Sequence, residues 1–244
     1  MSAPGDERDG RAGRRDVSFA PLGPEDLDRV YAVHLAAMAA VGDPKLVKPE
    51  DRDFFARLLA GEGRLLGALR GGELLGYGVL QLHLPPSEDA RPCLGLAAAE
   101  GLAKLAGAGV RPGDWGAGLH DVFIDWRVSE ARRLGVEHLY ATAAPGNPRS
   151  WTNLLAGGFA VRALQEKYGG HLRYFMWRRA QAPATPERAT PPGAGAGAAP
   201  DPGEGAWIAA DDTAAQLQAL AEGRLGVGWR LGKDGRRELW YARP

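Results

Sequence analysis

Residues 110–119 read Val110-Arg111-Pro112-Gly113-Asp114-Trp115-Gly116-Ala117-Gly118-Leu119, and the fold turns on how they are read. Upstream, 96–107 has helix-former composition in its first half and suits a strand in its second, with Val110 ending that run. Downstream, 119–134 predicts a helix with Leu119, Val122, Phe123 and Trp126 on one face and Gly135 as its stop signal. A strand therefore runs into a glycine-rich turn that opens a helix. The first-turn amides of a helix have no internal partners, and the helix dipole places partial positive charge there. Glycines let such a turn close on a bulky anion, so the stretch reads as a pyrophosphate cradle. A structural turn with glycine used for packing explains the same residues. A dinucleotide fingerprint does not fit, because its third glycine position is Asp121, and the Gly-Lys-Ser/Thr of a P-loop is absent.

Working outward, 17–22 suits a first strand, and Pro24 precedes a helical spacing of Leu27, Val30, Tyr31, Val33, His34, Leu35 and Met38. A second helix is predicted from Pro49 to Gly61, carrying Phe54, Phe55, Leu58 and Leu59. Residues 64–69 and 73–84 predict two strands joined at Gly71-Gly72. Beyond the central helix, 138–143 predicts a strand and Asn147 caps a short helix starting at Pro148. Two further strands follow at 159–164 and 172–178, around Tyr168-Gly169-Gly170. Strands, a crossover helix and more strands argue for an α/β fold around a mixed sheet.

Composition excludes several function classes. Lys plus Arg number 30 and Asp plus Glu number 30, so no global field draws the chain to nucleic acid or an anionic membrane. No apolar run is long enough to span a bilayer. The polar start has no apolar segment, so a secretory signal is not expected, and its acids argue against a transit peptide. The single Cys93 excludes an internal disulfide framework, and the five histidines show no metal-ligand spacing, so no metal is expected. A soluble, cytoplasmic protein is the expectation. Residues 1–16 read as a disordered tail, and 181–205, dominated by Ala, Gly and Pro, as a flexible linker.

Val110, Arg111 and Pro112, then Gly116, Ala117, Gly118 and Leu119 opening a helix, then Asn147 beginning a short helix that ends in Gly158-Phe159, occur in an order and spacing that resemble the GNAT N-acetyltransferase superfamily over about 17–179. The resemblance implies a mixed, partly splayed sheet flanked by helices. It also implies acetyl-CoA as cosubstrate and direct transfer of the acetyl group to a primary amine of a small molecule or protein. Coenzyme contacts are then expected from Val110, Trp115, Gly116, Ala117, Gly118, Leu119, His120, Asn147 and Ser150. The backbone N–H of Ala108, within the small run Gly107-Ala108-Gly109, becomes the oxyanion donor. The sequence departs from the family at three places. Trp115 stands at a Gln/Arg position, His120 at a Gly/Ala position, and Leu154 where many relatives carry a proton-donating tyrosine. Tyr168 and Tyr174 are the substitute donors, and Asp114, Glu166 and His83 are further titratable candidates. A non-catalytic acyl-CoA-binding module with the same fold is the rival reading.

After the linker, 206–244 predicts a strand at Trp207-Ile208, a helix capped by Asp212 or Thr213, and a hairpin around Lys233-Asp234-Gly235. So short a piece cannot build a strong core of its own. It is expected to dock on the preceding domain or on a second copy of the chain, through exposed Trp207, Trp229, Trp240 and Tyr241.

Overall fold

A computed structural model describes residues 16–43, 45–182 and 205–244. Most of the expected tail and linker lies outside the described residues. The described chain falls into two compact units, 16–87 with 103–135, and 88–102 with 136–182 and 205–244.

In the first unit, β1 (Ser18–Pro21), β2 (Gly63–Arg70), β3 (Glu73–Gln81) and β4 (Leu102–Val110) lie in the order β1-β2-β3-β4. Each neighbouring pair is antiparallel. Successive side chains of a strand point to opposite faces, and both faces of this sheet are covered. On one face Leu65, Leu74, Tyr77 and Val79 pack with Val30 and Val33 of α1 (Leu27–Val41) and Phe54 and Phe55 of α2 (Arg52–Arg57). On the other, Leu66, Ala68 and Leu75 pack with Leu119 and Phe123 of the central helix. Burial on both sides is why β3 reads as a continuous apolar run rather than an alternating one. The expected helix start at Pro49 is corrected to Arg52. Asp51 Oδ1 accepts the N–H of Phe54 at 2.7 Å and so fixes the cap two residues later.

Next in sequence, α3 (Arg91–Leu94) is a single turn that belongs to the second unit. The central helix, α4 (Leu119–Arg133), rides directly over two glycines of β3. A Cβ at Gly78 would lie 2.8 Å from Phe123 Cβ, and one at Gly76 would lie 2.8 Å from the Gly109 carbonyl and 3.3 Å from the Phe123 ring. Phe123 is fully buried in the space those positions leave. The buried face of α4 is Leu119, Phe123, Ile124, Arg127, Val128 and Ala131. Val122 and Trp126, expected on it, are half-buried at its margin.

In the second unit the order is β5-β7-β6-β9-β10-β8, with β5 His138–Ala143, β6 Ala160–Lys167, β7 His171–Arg179, β8 Gly205–Ala209, β9 Leu225–Leu231 and β10 Arg237–Ala242. The C-terminal piece continues this sheet, because β9 pairs antiparallel with β6, Val161 opposite Gly226. One buried amide ties it down. Gln216, on α6 (Thr213–Ala221), accepts hydrogen bonds from the hydroxyls of Tyr174 at 2.8 Å and Tyr241 at 2.9 Å. Its Nε2 donates to the carbonyls of Ala209 at 3.1 Å and Ala210 at 3.0 Å. Trp229 meets Trp151 of α5 (Pro148–Ala156) edge to face. Trp240 and Tyr241, expected at the surface, are buried in this packing, and that expectation is corrected. No helix among the described residues is long and apolar enough to cross a membrane.

Two substitutions test this packing. Gly78→Ala forces Phe123 and α4 outward, and such overpacking costs about 1–3 kcal/mol, read as a lower denaturant midpoint with unchanged slope. Gln216→Leu strands the buried Tyr241 hydroxyl at about 1–3 kcal/mol, leaves Tyr174 only the longer bond to the Ala210 carbonyl, and lowers the melting temperature by several degrees. A wild-type melting temperature for that variant would show that the C-terminal piece is not held by this amide.

Candidate coenzyme site

The site grows from the end of β4. The register between β3 and β4 steps from Val79 opposite Gly107 to Leu80 opposite Leu105, so Ala106 is the extra residue of a β-bulge. Past the bulge, the N–H of Arg111 donates to the Leu75 carbonyl at 2.8 Å. Antiparallel pairing alternates, so the N–H groups of Gly109 and Gly107 also face β3, and those of Val110 and Ala108 face the opposite edge. The residue expected to donate to an oxyanion thus has its N–H turned away from β3. Residues 106–108 are half-buried, and a Cβ at Gly107 would meet nothing within 4 Å. Gly109 is glycine for another reason, since a Cβ there would lie 2.7 Å from the Tyr77 ring.

The turn that follows is tied to the strands at several points. The Asp114 N–H donates to the Arg111 carbonyl at 2.9 Å, Arg70 pairs with Asp114 at 2.9 Å, and Arg111 pairs with Glu73. Asp114, a candidate base, is therefore a strut of the turn. Trp115 donates its indole N–H to the Val110 carbonyl at 2.9 Å, which closes the turn onto the strand it leaves.

Gly116 has φ +86 and Gly118 φ +67, in the left-handed region that disfavours a Cβ. A Cβ at Gly113 or Gly116 would meet nothing within 4 Å, so neither glycine is there for packing. Gly118 is the N-cap of α4 and offers no side chain to its first-turn amides. Ala117 and Leu119 turn their side chains into the core around Phe123, and His120 is half-buried on the first turn. The result is an open turn of main-chain donors at the positive end of a 15-residue helix. Its donor set suits a diphosphate.

The remaining expected site residues lie in the second unit. Asn147 accepts the Ser150 N–H at 3.3 Å and caps α5, so its side chain and that amide satisfy each other. Leu154 is buried. Tyr174 is buried too, with its hydroxyl given to Gln216 and its pKa pushed up to about 12 by burial, so its role is structural. Tyr168 is half-buried at φ +54, with its hydroxyl 3.3 Å from Thr142 Oγ1 and 3.4 Å from Glu88 Oε2. Of the two candidate donors, it is the accessible one.

Among the described residues Glu100, Glu137 and His138 bring possible ligand atoms together. Their hydrogen bonds make them a clasp. The Trp177 indole donates to His138 Nδ1 at 3.2 Å, so the ring proton sits on Nε2 and goes to Glu100 at 3.0 Å. A metal would need that Nε2 lone pair and would force a proton onto Nδ1 against the indole N–H.

Sequence reasoning missed Arg127. The residue is 2% exposed beneath the sheet, where a charged residue on a helix ordinarily faces solvent. Nε donates to the Phe123 carbonyl at 2.8 Å and Nη1 to the Gly107 carbonyl at 3.3 Å. Burial pushes its pKa down to about 9, which still leaves it cationic at neutral pH. Its place one turn after Phe123 was the sequence signal that it shares the buried face.

No family model and no curated protein matches the sequence. Solved structures do match in fold. The ribosomal-protein-S18-alanine N-acetyltransferase of Escherichia coli aligns at a TM-score of 0.52 and 16% identity over 67% of this chain and 93% of its own. The ribosomal-protein-alanine N-acetyltransferase of Brucella melitensis aligns at 0.50 and 19% over 66% and 99%. A GNAT phosphinothricin acetyltransferase of Sinorhizobium meliloti, solved with acetyl-CoA, aligns at 0.51 and 16% over 67% and 88%. This chain has the α/β fold of the GNAT acetyltransferases.

Gly118→Glu places a carboxylate and bulk in the open turn at a left-handed position. The variant is expected to lose thermal stabilisation by coenzyme A, because a ligand of the native state must stabilise it. Undiminished stabilisation would remove the turn as the diphosphate site.

Proposed function

We propose that this protein is an acetyl-CoA-dependent N-acetyltransferase. The observation that carries the reading is the open, left-handed turn at Gly116–Gly118, on a GNAT-type fold, directly after a strand whose Ala108 N–H faces away from β3. In this reading the amides of 116–120 hold the diphosphate. Gly107, lacking a side chain, leaves room for the pantetheine arm along β4. Acetyl-CoA supplies an activated acyl group, and the protein binds and orients it.

The acceptor is a neutral primary amine, which attacks the thioester carbonyl. As the carbonyl oxygen gains charge, the Ala108 N–H stabilises it, and a donor of this kind is worth about 3–4 kcal/mol in studied hydrolases. The tetrahedral intermediate then expels the coenzyme thiolate. A thiol pKa near ~8.5 makes that leaving group tolerable without a strong acid. The absence of a tyrosine at Leu154 is therefore compatible with turnover: the attacking nitrogen loses a proton as the amide forms, and the departing thiolate takes one up.

The test is thiol release from acetyl-CoA across a panel of amines and peptide N-termini, beside a thermal shift with coenzyme A. The expected result is a shift of several degrees at millimolar coenzyme and amine-dependent thiol release. A shift without release for any amine would favour the binding module, for which the buried Leu154 and Tyr174 speak. No shift at all would remove both readings.

A further inference from the structure

We infer that Arg127 is a positioning residue for acyl transfer, which acts by polarising the Gly107–Ala108 peptide that carries the oxyanion donor. This inference rests on the proposed acetyltransferase reading. A trans peptide is planar, with its C=O and N–H pointing in opposite directions. In this one the carbonyl of Gly107 receives Arg127 Nη1, and the N–H of Ala108 leaves by the other edge of β4. The guanidinium and the developing oxyanion would therefore grip the two ends of the same peptide unit.

Among the described residues, the charge of Arg127 is not spent elsewhere. Its two hydrogen bonds go to main-chain carbonyls, and burial alone accounts for the displacement of its pKa, with no carboxylate contributing. A buried cation held this way is costly, and an unscreened one acts strongly on the dipoles it touches. Hydrogen bonds in a chain polarise one another, so a cation on the carbonyl makes the amide a better donor. The bulge at Ala106 contributes as well. It inserts one residue just before Gly107 and so sets which edge of β4 each later amide faces. The anchoring of Arg127 to the Phe123 carbonyl fixes its reach, because Phe123 is itself seated on Gly78.

The experiment compares Arg127→Lys, Arg127→Gln and Arg127→Met in the full chain. Gln keeps a donor for the Gly107 carbonyl without the charge, whereas Lys keeps the charge without the fork. Expected are a kcat roughly tenfold lower for Gln and Met with KM for acetyl-CoA within about twofold of wild type, and substantial rescue by Lys. A second readout needs no acceptor. The infrared carbonyl band of bound carbonyl-¹³C acetyl-CoA is expected to shift to lower frequency in wild type, less so in Gln and Met. Folded Gln and Met variants with wild-type kcat and band position would overturn the inference. If neither folds, wild type and Lys decide. An unshifted band in wild type, or a Lys variant that folds and loses the shift, overturns it, whereas a shift retained by both supports it. Failure of coenzyme A to stabilise wild type would instead strike the acetyltransferase reading itself, and the role of Arg127 with it.

Discussion

Helix α4 can approach β3 only because Gly76 and Gly78 present no side chain. Phe123 fills the space beside them: a Cβ at Gly78 would lie 2.8 Å from its Cβ, closer than such atoms approach, and one at Gly76 would crowd its ring at 3.3 Å. That single steric allowance sets the height and direction of the helix over the first sheet. The helix N-terminus then falls where the turn leaving β4 delivers it. The indole of Trp115, bound to the Val110 carbonyl, and the ion pairs of Asp114 and Arg111 hold the turn in place. What remains open is the run of amides at 116–118, and it is open because glycine adopts φ +86 and +67 without strain.

The same helix brings a charge under the sheet. Arg127 follows Phe123 by one turn and is buried with it. A fold concerned only with stability would place an apolar residue there, because desolvating a guanidinium is costly and main-chain carbonyls compensate for it less well than a carboxylate. The position is also the one from which the Gly107 carbonyl can be reached. The two facts share a geometry: a bulge in β4, a glycine-seated helix and a buried cation meet at one peptide.

The second unit shows how an otherwise insufficient C-terminal piece becomes part of a sheet. Its strands bring aromatic rings, and α6 brings the amide of Gln216, to the hydroxyls of Tyr174 and Tyr241. Tyr174 shows why residue type alone misleads. A tyrosine on a strand of such a fold is chemically able to donate a proton, yet this hydroxyl is consumed by a buried amide. Tyr168, in the short loop between β6 and β7, keeps some exposure.

Much was legible from the chain alone, because it is written in local chemistry. The strand-turn-helix at 110–119, the caps at Asn147 and Asp212, and the Gly71-Gly72 hairpin depend on neighbours a few residues away, and each lies where the residues indicate. Only the tertiary structure decided what depends on distant partners. The edge to which the Ala108 amide turns is set by a bulge that one strand acquires from pairing with another. The burial of Arg127, Tyr174 and Tyr241 is set by surfaces up to scores of residues away in the sequence. Local periodicity encodes which face a residue occupies. Whether that face meets water, a carbonyl or an amide is a property of the assembled chain.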